Sequence, residues 1–83
     1  MANIILYGAD WCPDCHRSRN YLDQLKLSYD YIDIDHTPGA SEEVAKLNNG
    51  QKSIPTIIFE DQSKLVEPSN LELKTKLKTL GLI

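Results

Sequence analysis

The sequence predicts an α/β fold: one four-stranded mixed sheet carrying three helices, in the order β-α-β-α-β-β-α. Three observations lead there. Short apolar runs rich in β-branched residues alternate with stretches of helical period. Two later apolar runs are parted only by a polar turn, the mark of a hairpin. A capping signature then opens a final helix.

Asn3–Tyr7 is a continuous apolar run of the kind that fills a buried strand. Gly8–Asp14 is a loop running into a Cys-Pro pair, and Pro13 suits a first helical position, where its missing N–H would be unpaired in any case. Ser18, Tyr21, Leu22 and Leu25 recur at helical spacing, with Arg17, Arg19, Asp23 and Lys26 on other faces; this places a helix over about Pro13–Lys26. Tyr29–Ile34 alternates apolar or aromatic residues with aspartate, the period of a strand. Thr37–Pro38 reads as an N-cap and first helical residue. That short helix carries Val44 and Leu47 inward and stops at Asn48–Asn49–Gly50, with glycine as C-cap. Thr56–Phe59 is a strand, Glu60–Ser63 a polar turn and Lys64–Val66 the returning strand. Ser69–Asn70–Leu71–Glu72 fits a capping box; Leu73, Leu77 and Leu80 follow on one face, and Lys74, Lys76 and Lys78 complement the helix dipole. The first β-α-β unit calls for parallel strands in a right-handed crossover, and the hairpin adds antiparallel ones.

At 83 residues the chain is read as one domain over 1–83, near the size where one core becomes marginal. Apolar residues at 41% and charged residues at 25% suit a compact soluble fold rather than disorder. A net charge of −3 gives no reason to expect nucleic acid or an anionic membrane as partner. No apolar run approaches the roughly 20 residues that span a bilayer, and the N-terminus lacks the pattern of a signal peptide. The expectation is a soluble, cytoplasmic monomer.

The two cysteines are Cys12 and Cys15. A bridge across so short a loop removes little entropy from the unfolded chain, so the pair is read as chemistry rather than as scaffolding. Cys12 falls just before the first helix, whose unpaired N–H groups and positive dipole end favour a thiolate, the attacking species in disulfide exchange. Cys15, three residues on, is placed to attack a mixed disulfide at Cys12. Cys12 is therefore the candidate nucleophile and Cys15 the resolving thiol. Asp14 opposes thiolate formation and makes the disulfide less oxidising, whereas His16 and Arg17 act the other way; Asp14 also suits a helix's first turn. Pro55 opens a strand, and a cis bond after Ile54 would turn that residue's N–H and C=O toward an extended substrate.

Rival readings exist. Cys12, Cys15 and His16 complete the pattern for attaching c-type haem, but the sole methionine is Met1 and the predicted fold is not mostly helical. Cys12, Cys15, His16 and His36 are four possible zinc ligands, with His36 placed by strand direction near the active-site end of the sheet. The favoured reading of His36 is an exposed loop residue, that of His16 a solvated first-turn residue, and no resident metal is expected. Trp11 is read as a cover over the thiol that touches substrate. Tyr7 is divided between packing and contact with the site.

Trp11-Cys12-Pro13-Asp14-Cys15 after an N-terminal strand, and Ile54-Pro55-Thr56 before a later one, resemble the glutaredoxin branch of the thioredoxin superfamily across essentially the whole chain. Details resemble mycoredoxins and related short glutaredoxin-like proteins: Tyr7 and Trp11, Tyr31-Ile32-Asp33-Ile34-Asp35-His36, Asn49-Gly50 and Glu67-Pro68-Ser69. The resemblance implies a thioredoxin fold and a cis bond at Pro55. It implies no bound cofactor but a small thiol cosubstrate, glutathione or mycothiol, whose backbone pairs with Ile54. Ser69 and Asn70 would hold one of its carboxylates and Lys52 another. Ala9–Asp10 replaces a lysine common in glutathione-using members, and Val66-Glu67-Pro68-Ser69 replaces their Gly-Gly-Cys-Asp; both departures weaken the case for glutathione. Implied partners are disulfide-bearing or thiolated proteins and a small thiol or a thioredoxin-type flavin reductase. A metal or iron–sulfur carrier is the rival class, though carriers usually have a single active-site cysteine.

Overall fold

The computed structural model describes residues 4–83. Among these, four strands and three helices follow in the expected order: β1 (Ile4–Gly8), α1 (Pro13–Gln24), β2 (Asp30–Asp33), α2 (Ala40–Leu47), β3 (Thr56–Phe59), β4 (Lys64–Val66) and α3 (Asn70–Thr79). The strands form one mixed sheet ordered β2-β1-β3-β4, with β1 parallel to β2 and antiparallel to β3, and β3 antiparallel to β4. The start of the first predicted strand, Asn3, lies outside the described residues.

Alternation along β1 and β3 sorts the two faces. Ile4, Leu6, Ile57 and Phe59 point one way and pack with Leu22 of α1 and Leu73 and Leu77 of α3 into the main core. Leu80 joins as a partly buried neighbour. Tyr7 and Thr56 pair on the opposite face, toward α2: Asn48, just past α2, donates to the Thr56 hydroxyl at 3.0 Å. Burial, with the nearby Glu43 carboxylate, raises the Tyr7 phenol. Tyr7 thus packs at the strand end on the α2 side.

Three helix ends differ from expectation. Thr37 and Pro38 do not open α2. The Thr37 carbonyl accepts the Ala40 N–H at 3.1 Å, and Gly39 has φ 82° and ψ −10°, so Thr37–Ala40 is a type II turn with Pro38 and Gly39 in its two central places. The helix begins two residues later than expected, at Ala40, with Gly39 as N-cap and no capping side chain. At its other end the C-cap is Asn48 rather than glycine. Asn49 takes the left-handed conformation (φ 55°), and the Gly50 N–H returns to the Ala45 carbonyl at 2.6 Å in a Schellman closure. Helix α1 stops two residues short of the expected Lys26, which itself adopts φ 57° while Leu27 donates to the Leu22 carbonyl at 3.1 Å.

Candidate active site

The capping of α1 builds the site. Cys12 is the N-cap, extended at φ −88° and ψ 113°, and its Sγ accepts the backbone N–H of Cys15 at 3.3 Å. Pro13 follows in the first helical turn, as predicted. A sulfur held there faces the unpaired donors and positive dipole end of a 12-residue helix. A thiolate accepts such a bond more strongly than a thiol does. Both thiols are free, and the two differ in access: Cys12 is 6% exposed and Cys15 fully buried. Burial, reinforced by the bond to Cys12, pushes the Cys15 thiol up to about 12.

Room for Cys15 comes from Gly8, at the end of β1. A Cβ on Gly8 would lie 2.9 Å from Cys15 Sγ and 3.2 Å from Leu6 Cδ2, closer than packed atoms tolerate. This glycine is required by close approach rather than by a turn. Ala9, Cys12 and Cys15 form a small buried cluster, and Ile54 packs against it. The Ile54–Pro55 bond is cis, as the resemblance implied. The Pro55 carbonyl is taken by the Glu67 N–H at 2.8 Å; among the described residues no hydrogen bond engages the Ile54 backbone N–H or C=O. Lys52, two residues earlier, is exposed.

Trp11 stands beside Cys12 with 69% of its surface exposed, and its indole N–H donates to Asp35 Oδ2 at 2.7 Å. Tyr31 donates its O–H to Asp10 Oδ1 at 2.9 Å, while His16 Nε2 meets the Asp10 carbonyl. Burial, with that bond to Asp10, raises the Tyr31 phenol. Asp14 pairs with Arg17 at 3.3 Å, so the carboxylate and guanidinium of the first turn largely answer each other. Arg17 also reaches α3's start, donating to the Pro68 carbonyl at 3.2 Å and to Asn70 Oδ1 at 3.3 Å. At that start the capping box is complete: Ser69 Oγ accepts the Glu72 N–H at 3.1 Å, and Glu72 Oε1 accepts the Ser69 N–H at 2.9 Å.

His36 is exposed and lies at the active-site end of the sheet, but its neighbours are not the cysteines. Its Nδ1 pairs with Asp33 Oδ2 at 2.7 Å, and that pair lies with Asp10 inside 4.8 Å, the one such grouping of possible metal ligands among the described residues. The arrangement Cys12, Cys15, His16 and His36 is therefore not assembled. Sequence reasoning left out Gly8, Asp10, Asp33, Asp35 and the bridging role of Arg17. A signal for the aspartates existed: Tyr31, Asp33 and Asp35 share one side of a period-two run whose parallel pairing with β1 delivers them beside the Asp10–Cys12 loop.

Comparison with known proteins agrees with this geometry. The sequence model of the glutaredoxin family matches residues 4–64. A Mycobacterium tuberculosis chain named as a glutaredoxin is 38% identical over 76 residues, covering 92% of this chain and 90% of that one. Mycoredoxin 1 of Corynebacterium glutamicum is 34% identical over 81 residues, covering 98% of this chain and 100% of its own length. Among solved structures, the glutaredoxin of Methanosarcina mazei Go1 superposes with a TM-score of 0.77 at 30% identity, over 92% of this chain and 78% of that one. The fold is thioredoxin-like, and the chain belongs to the glutaredoxin family of thiol–disulfide oxidoreductases.

Proposed function

We propose that this chain reduces protein disulfides and mixed disulfides between proteins and a small thiol, with Cys12 as nucleophile and Cys15 as resolving thiol. The observation that carries the reading is the hydrogen bond from the Cys15 N–H to Cys12 Sγ at the cap of α1, with Cys15 sealed behind it. The Cys12 thiolate attacks one sulfur of the substrate disulfide; a Cys12–substrate S–S bond forms, the substrate S–S bond breaks, and the other sulfur leaves as a thiolate that takes up a proton. Two routes then return Cys12. In one, a small thiol attacks Cys12 Sγ and releases the reduced substrate. A second small thiol then attacks the small-thiol sulfur of the resulting Cys12 mixed disulfide, freeing Cys12 and a small-thiol disulfide. In the other, Cys15 loses its proton and attacks Cys12 Sγ, releasing the reduced substrate and leaving a Cys12–Cys15 disulfide. That disulfide needs two further electrons from small thiols or from a dithiol reductase. A thiol as deeply buried and as strongly held protonated as Cys15 makes the second route the slower one.

The remaining roles form part of the same reading. Trp11 covers the substrate and Asp14 borders it. Ile54 pairs its unengaged backbone with the extended part of a small thiol, beside Pro55. Lys52 meets one carboxylate of that thiol. Ser69 and Asn70 receive another through α3's first turn, where the capping box uses the Ser69 and Glu72 N–H groups and leaves that of Asn70. The names of the mycoredoxin and glutaredoxin relatives point to mycothiol or glutathione as that thiol. We place the protein in the cytoplasm as a monomer working as one domain; among the described residues, no helix is long and apolar enough to cross a membrane.

The test is reduction of a model mixed disulfide by wild type and Cys15→Ser, with glutathione, with mycothiol, and with thioredoxin reductase plus NADPH. Turnover with a small thiol that survives Cys15→Ser is expected. Turnover with the reductase alone, lost in Cys15→Ser, would make the protein a small thioredoxin and remove the roles of Lys52, Ile54 and Ser69.

A further inference from the structure

The two flanks of Cys12 carry opposite charge. On the Ile54 side stands the exposed Lys52. On the other, the large exposed indole of Trp11 meets Asp35 from the turn after β2, and the neighbouring Asp10 lies with Asp33, from the end of β2, in a cluster within 4.8 Å. The indole N–H is spent on Asp35, which fixes the ring by its edge while 69% of the residue stays open to solvent. Tyr31 in turn fixes Asp10.

Positive groups near this flank are few and already committed. His36 sits on Asp33, and His16 meets the main-chain carbonyl of Asp10 rather than a carboxylate. Arg19 lies 3.8 Å over the Tyr31 ring with its Nε buried, and Arg17 pairs with Asp14. An aromatic face held still among carboxylates is a receptor for an ammonium or guanidinium group, since the ring quadrupole and the carboxylates attract the same charge. Its place, one residue before the nucleophile, means that whatever binds there lies next to the sulfur under attack.

We propose that Trp11, Asp10 and Asp35 form a cation-accepting face that selects protein disulfides flanked by arginine or lysine. This rests on the reading of Cys12 as the nucleophile. The occupant is a basic side chain of the partner protein next to its reactive cysteine, with arginine favoured because its planar guanidinium stacks on the indole and forks to a carboxylate. The face sets the affinity for the substrate rather than the chemistry of exchange, so it acts on KM.

The experiment compares three substrates: two peptides of one sequence, each bearing a small-thiol mixed disulfide and differing only in arginine or glutamate beside the cysteine, and an uncharged small disulfide. At low ionic strength kcat/KM for the arginine peptide exceeds that for the glutamate peptide by about tenfold, from one cation–π contact and one or two exposed charge pairs. The difference lies in KM and shrinks as salt is raised. Asp35→Asn and Asp10→Asn each cut the ratio to about threefold. Glu60→Gln removes the same charge from the distant hairpin and keeps the wild-type ratio. A ratio of one in the wild type, with the uncharged disulfide still turned over, overturns the cation-accepting face and leaves the proposed function standing. An equal fall in Asp35→Asn and Glu60→Gln overturns it too, because overall charge would then be the cause. No turnover of any of the three overturns the proposed function, and this inference with it.

Discussion

Helices α1 and α3 begin in opposite ways. At α3 a serine and a glutamate satisfy each other's backbone N–H groups, the reciprocal arrangement that closes a helix end for stability. At α1 the cap is a cysteine whose sulfur accepts one N–H at 3.3 Å, with no second side chain reaching back to its own N–H, which turns instead to the Ala9 carbonyl. Sulfur is a weak acceptor as a thiol and a better one as a thiolate. The end of α3 is thus at its best as it stands, whereas the end of α1 is completed when its capping group becomes an anion. A helix start with a poor neutral cap and a buried partner behind it suits the proposed reaction, and one with a full box suits the fold.

Three measurements bear on this contrast. The largest expected effect is Cys12→Ser, which lowers disulfide-exchange turnover by about a thousandfold or more because the proposed nucleophile is gone. Serine is among the preferred N-cap residues, so thermal stability should hold or rise slightly. A variant that kept its activity would break the contrast, since α1's cap would then be structural like that of α3. The second is the response to alkali. Burial holds the folded-state Cys15 thiol near 12, above its ordinary value of 9.0, so between those values the unfolded chain has lost a proton that the native state keeps. Stability from this group is complete below about pH 9 and drains away as pH rises toward 12. Urea midpoints on both sides of pH 9 should fall more steeply in wild type than in Cys15→Ser; equal slopes would show that the thiol is not held protonated. The smallest effect belongs to Ser69→Ala, which opens the box at a cost of about 1 kcal/mol and lowers Tm by about 5 °C. A KM for the small thiol that rises in the same variant would sharpen the comparison, because α3's start would then serve the fold and a carboxylate together.

Much of this was legible in local sequence because caps and periods are local. The Ser69–Glu72 box, the Glu60–Ser63 turn and the place of Cys12 and Pro13 at α1's start each depend on residues within four of one another. Local reading failed where two local signals compete. Pro38 suits a first helical position and also a turn, and Gly39, able to take φ 82°, decides for the turn. The helical spacing of Ser18, Tyr21, Leu22 and Leu25 extends to Lys26, yet Lys26 takes φ 57° and ends the helix because Leu27 turns back to join the core.

Sequence alone settled the order of elements, the mixed sheet and the pairing of Cys12 with Cys15 at a helix start, since each follows from residue period, turn chemistry or a spacing of three. It could not settle which side chains surround that pair. The Trp11–Asp35 bond joins residues 24 apart and the Arg17–Asn70 bond residues 53 apart. Gly8 becomes indispensable only because Cys15 folds down onto it. Such contacts are made by the parallel pairing of β1 with β2 and the packing of α3 against α1, which bring together segments that carry no mark of one another. The two cysteines proposed to react were legible in the local sequence, but their surroundings arise from long-range packing, because period and capping act over a few residues while burial acts across the whole chain.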